Sequence, residues 1–128
     1  KKIKISKKYD MALPPIPLDL VRMMQVFTNL YLNAVQAVEE GGRLSVRTGQ
    51  ERIDGKLYLT VAIRDNGVGI SPAQQATIFD PFYTTKSDGI GLGLTIVKKI
   101  VEQHKGRISL KSKLGEYSVF SVYLPVKA

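Results

Sequence analysis

The sequence predicts an α/β chain of about five strands and three helices, and three observations carry that reading. Two pairs of alternating apolar and polar runs are joined by short turns, Asp54-Gly55 and Leu114-Gly115-Glu116, as in β-hairpins. Two longer stretches, starting at Asp19 and near Gly93, repeat apolar residues at helical spacing with polar residues opposite. At 128 residues, with 44% hydrophobic and 23% charged content, the chain reads as one globular domain, residues 1–128, able to bury a core.

Composition narrows the classes of function. There are no cysteines, so a disulfide framework and a thiolate metal site are excluded. No apolar run approaches membrane-spanning length and no charged-then-apolar leader opens the chain. The expectation is a cytoplasmic domain, whether or not a full-length protein around it is membrane-anchored. The formal charge of +8 invites a nucleic-acid reading, but half of it comes from five lysines set against Asp10 in the first ten residues. The remaining basic residues are scattered, with no Arg-rich helix and no aromatic interleaving, so no direct nucleic-acid partner is expected. The balance suits a polyanionic small ligand or an acidic protein surface equally well.

Taken in order, Lys2 to Tyr9 alternates weakly and reads as an edge strand guarded by lysines. Leu13-Pro14-Pro15-Ile16-Pro17 is an extended connector, because proline removes backbone donors and holds its predecessor out of the helical region. Asp19 is a start signal for a helix running to about Glu40 and closed by Gly41-Gly42. Leu20, Met23, Met24, Phe27, Leu30, Tyr31, Ala34, Val35 and Val38 form its apolar sector. Its other face has no charge between Met23 and Val38. There Gln25, Asn29 and Asn33 fall at i, i+4, i+8 and line up along the axis. Such a stripe is either a polar outer face or the wall of a ligand site. Amides can donate to phosphate oxygens and can offer a neutral hard oxygen to Mg²⁺.

Arg43 to Arg52 and Lys56 to Arg64 read as a hairpin, the second strand being the more apolar and therefore central. That strand delivers Asp65-Asn66-Gly67-Val68-Gly69-Ile70. As a plain turn this stretch is ordinary chemistry. As a site it puts one carboxylate at a pocket floor, able to accept from an amine such as that of adenine, beside main chain without side chains in the way. Ser71-Pro72-Ala73-Gln74 has the form of a capping box opening a short helix to about Phe79, ended by Asp80-Pro81. An irregular segment, Phe82 to Asp88, leads into Gly89-Ile90-Gly91-Leu92-Gly93 and the third helix. Bare N–H groups at a helix start are a ready anion site. Leu94, Val97, Ile100, Val101 and His104 make the buried face of that helix, and Gly106 its stop. Arg107 to Lys113 and Tyr117 to Leu124 form the last hairpin, and Pro125 ends the ordered chain.

The order of these elements closely resembles the catalytic, ATP-binding domain of two-component sensor histidine kinases, whose fold is shared by the ATPase domains of DNA gyrase, mismatch-repair proteins and heat-shock chaperones. Gln25 to Ala37 matches the family's N box, Asp65 to Ile70 its G1 box, Phe79 to Lys86 its F box and Gly89 to Leu94 its G2 box. The resemblance implies a two-layer α/β sandwich: a mixed, mostly antiparallel sheet of about five strands with three helices on one face. It also implies a short ATP lid over about residues 71–91. Asp65 would hold the adenine amino group, with Gly67, Gly69 and Ile70 around it. Asn33 would supply an oxygen to Mg²⁺, and Asn29 would assist at the phosphates or the metal. Lys86 would reach the terminal phosphates. Gly89, Ile90, Gly91, Leu92, Gly93 and Leu94 would line the phosphate end and hinge the lid, and Phe79 and Phe82 would pack it. The sequence departs from the family at Gln36, where many relatives carry Lys or Arg, and at Gly115-Glu116-Tyr117-Ser118, where one glycine is kept and Ser replaces Thr.

The implied activity is transfer of the ATP γ-phosphate to a histidine of a separate dimerisation domain, then signalling to a response-regulator receiver domain. The isolated domain is expected to be monomeric and the intact protein a homodimer. His104, the only histidine, reads as structural, so the phosphoacceptor domain is expected outside this chain. Three alternatives stand beside this reading. A hydrolytic ATPase needs a glutamate where Asn29 stands, and an amide is no general base. A serine kinase of the same fold and a basic binding module with a degenerate pocket are the others.

Overall fold

The computed structural model describes residues 2–10, 12, 16, 18–80 and 93–126. Five strands, β1 (Lys4–Lys8), β2 (Arg43–Ile53), β3 (Lys56–Asp65), β4 (Arg107–Lys113) and β5 (Tyr117–Pro125), form one sheet in the order β1-β2-β3-β5-β4. β1 runs parallel to β2, and every other pairing is antiparallel. The helices are α1 (Leu20–Ala37), α2 (Pro72–Gln75) and α3 (Gly93–Gln103). The mixed, mostly antiparallel sheet and the central place of the more apolar strand agree with the sequence reading. β1 is the expected edge strand, exposed along its length.

Period-two alternation divides the sheet into two faces. Leu44, Ile63, Phe120, Val122 and Leu124 point to one side and meet Met23, Val26, Leu30 and Ala34 of α1 and Val97, Ile100 and Val101 of α3. Fully burying side chains of this size stabilises by about 1.5–3 kcal/mol each relative to exposure. α1 and α3 therefore lie side by side on that face, and among the described residues no helix covers the other.

The start of α1 is capped as the sequence indicates: the Asp19 side chain accepts the Arg22 N–H at 3.2 Å. Its far end and its buried stripe differ from expectation. The helix stops at Ala37, and Val38 turns extended with its side chain 2% exposed, so Gly41 and Gly42 belong to the turn that follows. The stripe runs Met23, Val26, Leu30, Ala34, whereas Leu20 and Met24 are exposed. Packing against both α3 and the sheet sets the buried line toward Val26, which a projection of the isolated helix could not reveal. The second helix keeps its reciprocal Ser71–Gln74 capping box but is only four residues long. At the end of α3 the left-handed residue is Lys105, with φ 60°, while the Gly106 N–H closes the turn onto the Val101 carbonyl at 2.9 Å.

His104 lies just past α3, and both ring nitrogens are engaged. Nδ1 meets the Ile100 carbonyl at 2.9 Å, and Nε2 accepts the Asp19 backbone N–H at 3.0 Å. The imidazole thus carries its proton on Nδ1 and ties the end of α3 to the start of α1. Leu13, Pro14, Pro15 and Pro17 of the connector lie outside the described residues, as does the segment from Pro81 to Leu92.

Candidate functional site

Asp65 is the last residue of the central strand, and its side chain stands on the helix-covered face. It is 1% exposed, and Oδ1 accepts the Gly67 N–H at 2.9 Å. Among the described residues no donor meets its second oxygen. Burial raises its pKa above the usual carboxylate value, and the Gly67 N–H pulls partly the other way. A buried carboxylate with one unpartnered oxygen is costly unless something donates to it. Ser118, 3% exposed, is its cross-strand neighbour on β5.

The loop after Asp65 is clamped by the protein's own main chain. A Cβ at Gly67 would lie 2.1 Å from the Ala37 carbonyl oxygen, and the Val68 N–H donates to that same oxygen at 3.2 Å. Gly69 has φ 72°, and a Cβ there would lie 2.2 Å from the Lys113 carbonyl oxygen. The space left by the absent side chains is thus filled by the end of α1 and by the β4–β5 hairpin. The glycines shape the loop by letting the protein's own main chain pack against it. Asn66 completes the clamp: its Oδ1 accepts the Arg43 N–H at 2.6 Å, and its own N–H donates to the Arg43 carbonyl at 3.1 Å. The Ile70 N–H donates to Ser112 Oγ at 2.8 Å, and Gln75 Nε2 donates to the Ile70 carbonyl at 2.7 Å.

The amide stripe adjoins this loop because α1 ends on it. Asn33 stands one turn before Ala37, about 6 Å along the axis, and Asn29 one turn further back. Both are half-buried, whereas Gln25 and Gln36 at either end are exposed. Asn29 Nδ2 donates to the Gly93 carbonyl at 3.5 Å, a long contact joining the stripe to the first residue of α3. No described donor reaches Asn29 Oδ1. Among the described residues no group of three or more His, Asp or Glu could cage a metal. A cation here would therefore be held by neutral amide oxygens with oxygens of its ligand and water, a donor set that suits Mg²⁺.

Of the remaining predicted residues, Leu94 packs against the core and Gly93 is exposed at the start of α3. Phe79 meets Phe120 edge-on, with centroids 6.2 Å apart and planes at 89°, and its carbonyl accepts from Thr95 Oγ1 at 2.8 Å. Phe82, Lys86, Gly89, Ile90, Gly91 and Leu92 lie outside the described residues. Sequence reasoning did not single out Ala37, Ser112 or Asn66. The first two act through a main-chain carbonyl and a loop-holding hydroxyl that leave no sequence signal. Asn66 had one, being an asparagine in a turn. Ser118 was visible too, as a polar residue at an inward position of an alternating strand.

A buried carboxylate thus stands at the foot of a glycine loop, beside an amide-lined helix. Residues 18–128 match the family described as histidine kinase-, DNA gyrase B-, and HSP90-like ATPase, and the chain belongs to that family. It is similar to the sensor histidine kinase ZraS of Salmonella typhimurium, with 44% identity over 117 residues that cover 91% of this chain and 24% of that protein. The sensory histidine kinase/phosphatase NtrB of the same organism is 38% identical over 132 residues, covering 98% of this chain and 38% of that one. The chain thus spans about a quarter to two-fifths of the length of these relatives. Among solved structures it superposes on the catalytic domain of the histidine kinase ThkA with a TM-score of 0.83 at 30% identity, covering 98% of this chain and 80% of that one. Full-length ShkA, solved in complex with AMPPNP, gives a TM-score of 0.81 at 30% identity, covering 98% of this chain and 26% of that one. The chain is therefore a catalytic, ATP-binding domain of the histidine kinase type, with the two-layer fold those domains share. No helix among the described residues is long and apolar enough to cross a membrane.

Proposed function

We propose that this domain binds ATP with Mg²⁺ and delivers the γ-phosphate to a histidine on a separate dimerisation and phosphoacceptor domain, from which a response-regulator receiver domain is charged. The observation that carries the reading is Asp65, a nearly sealed carboxylate with one oxygen held by Gly67 and the other without a described donor. The adenine amino group is the donor that fits it. The likeness to ShkA, whose structure holds an ATP analogue, supports the same assignment.

Within this reading Asp65 selects the base, and Asn66 and Ser112 keep its loop from drifting. Asn29 and Asn33 bind on the phosphate side, where their amide oxygens would hold the metal. Mg²⁺ held there would supply neutralisation of phosphate charge. In the transfer the γ-phosphorus would leave the bridging oxygen of ADP and bond to an imidazole nitrogen of the acceptor. The chain's residues supply position and charge, and no general base of the chain is required. His104 is unsuited as acceptor, since both its nitrogens are engaged. The acceptor histidine therefore belongs to another part of the full-length protein, in which two copies pair.

The test is to mix the chain with a histidine-bearing helical hairpin domain and γ-labelled ATP. Acid-labile label on the supplied domain, and none on this chain, is the expected result. Label on this chain, or free phosphate released with neither domain labelled, contradicts the proposal.

A further inference from the structure

The sheet face opposite α1 and α3 holds an array of cations that few carboxylates among the described residues offset. Alternation along the strands turns Lys8, Arg43, Arg47, Arg64, Arg107 and Lys111 outward on it, all of them exposed. Glu51 is the only carboxylate at an outward strand position. Cations also sit directly opposite one another across the β1–β2 ladder, Lys4 against Arg43 and Lys8 against Arg47. Like charges placed so oppose folding. Among the described residues the one ion pair is Lys113 with Glu116, at the tip of the β4–β5 hairpin. Two of the guanidinium groups are propped on rings: Arg64 lies 4.6 Å from the Tyr117 centroid and Arg107 5.8 Å from that of Tyr58.

We propose that this open face docks a carboxylate-rich surface of a partner protein. Four arginines stand at outward positions of the array beside Lys4, Lys8, Lys56, Lys111 and Lys113, and the planar fork of arginine matches carboxylates two bonds at a time. Arginine and tyrosine are the residues enriched in protein interfaces, where lysine is depleted. Hydroxyl groups fill the ground between, with Ser45 opposite Arg64 and Ser109 opposite Ser121. Single-stranded nucleic acid is less well served, because Tyr58 and Tyr117 already lie under arginines and only the half-buried Tyr123 is left to stack on a base. An anionic bilayer is less well served too. The sheet twists from strand to strand, and none of the exposed large apolar side chains stands at an outward strand position.

Binding of a fluorescent oligoglutamate peptide, a single-stranded oligonucleotide of equal charge and phosphatidylglycerol vesicles to this chain tests the assignment, with amide chemical shifts mapping the contact. The peptide is expected to shift residues around Arg43, Arg47, Arg64 and Arg107. The double variant Arg47→Glu/Arg64→Glu should weaken it at least about tenfold. The charge-preserving pair Arg47→Lys/Arg64→Lys, which leaves the fold undisturbed, should weaken it several-fold because the fork is lost. The proposal is overturned if the oligonucleotide or the vesicles hold the same residues more tightly than the peptide. It is equally overturned if the lysine pair binds like the parent, or if the peptide's shifts fall at the Asp65 loop instead.

Discussion

Gly67 and Ala37 are set so close that a single methyl group on the glycine would lie 2.1 Å from the alanine carbonyl oxygen. That contact seats the end of the amide-striped helix on the loop that carries Asp65, and so registers two halves of the proposed site. Gly67→Ala must push main chain aside, and overpacking of this kind costs about 1–3 kcal/mol. Urea unfolding should show that loss, and nucleotide affinity should fall with it. An unchanged midpoint would remove the contact from the account. Gly69→Ala should be worse, since it adds a φ of 72° to a 2.2 Å clash.

Asp65 makes stability and binding depend on pH in opposite senses. Burial raises its pKa in the folded state above the ordinary value. The folded form therefore holds the proton more tightly than the unfolded chain does. The stability that proton provides is full below the ordinary carboxylate pKa and is lost as pH rises through the folded one. Asp65→Asn should accordingly be more stable than the parent at about pH 7, the gap closing toward about pH 4. ATP binding needs the ionised oxygen and should weaken over that same descent. Thermal unfolding and calorimetry at several pH values read the two trends.

The amides should matter through the metal. Asn33→Ala is expected to reduce affinity for Mg²⁺-ATP by several-fold or more while changing metal-free ADP affinity little. Asn29→Ala should act in the same direction and also release the long tie to the Gly93 carbonyl. Titrations with and without a chelator separate these effects. Equal losses in both conditions would mean that the stripe contacts the nucleotide directly and not through a cation.

His104→Ala removes the acceptor of the Asp19 N–H, a bond worth about 0.5–1.5 kcal/mol. Stability should drop by that order, and phosphate transfer to a supplied histidine domain should persist. Loss of transfer in a folded variant would give His104 a chemical part.

The sheet order was legible in outline because its signals are local: alternation, turn residues at Asp54-Gly55 and Leu114-Gly115-Glu116, and a central strand recognisable by its apolar run. The capping residues Asp19 and Ser71 were legible for the same reason, since a cap is satisfied within one turn. What escaped depends on distant partners. Leu20 and Met24 fit the apolar sector of an isolated helix, but packing against both α3 and the sheet sets the buried line elsewhere and leaves them exposed. Val38 looked helical but is extended and buried, at a bend whose packing no local pattern records. In the site, Asp65 was visible as a residue at a strand end. That its loop is pinned by the carbonyls of Ala37 and Lys113 follows from elements far apart in the chain, which no local pattern encodes.

The most direct measurement is calorimetry of the unmodified chain with Mg²⁺-ATP beside Mg²⁺-ITP, whose base lacks the exocyclic amine. If Asp65 accepts from that amine, ATP binds and ITP binds about 10–100-fold more weakly, as loss of a hydrogen bond to a charged group implies. Equal affinity for the two nucleotides, or no heat with Mg²⁺-ATP at millimolar concentration, would contradict the account.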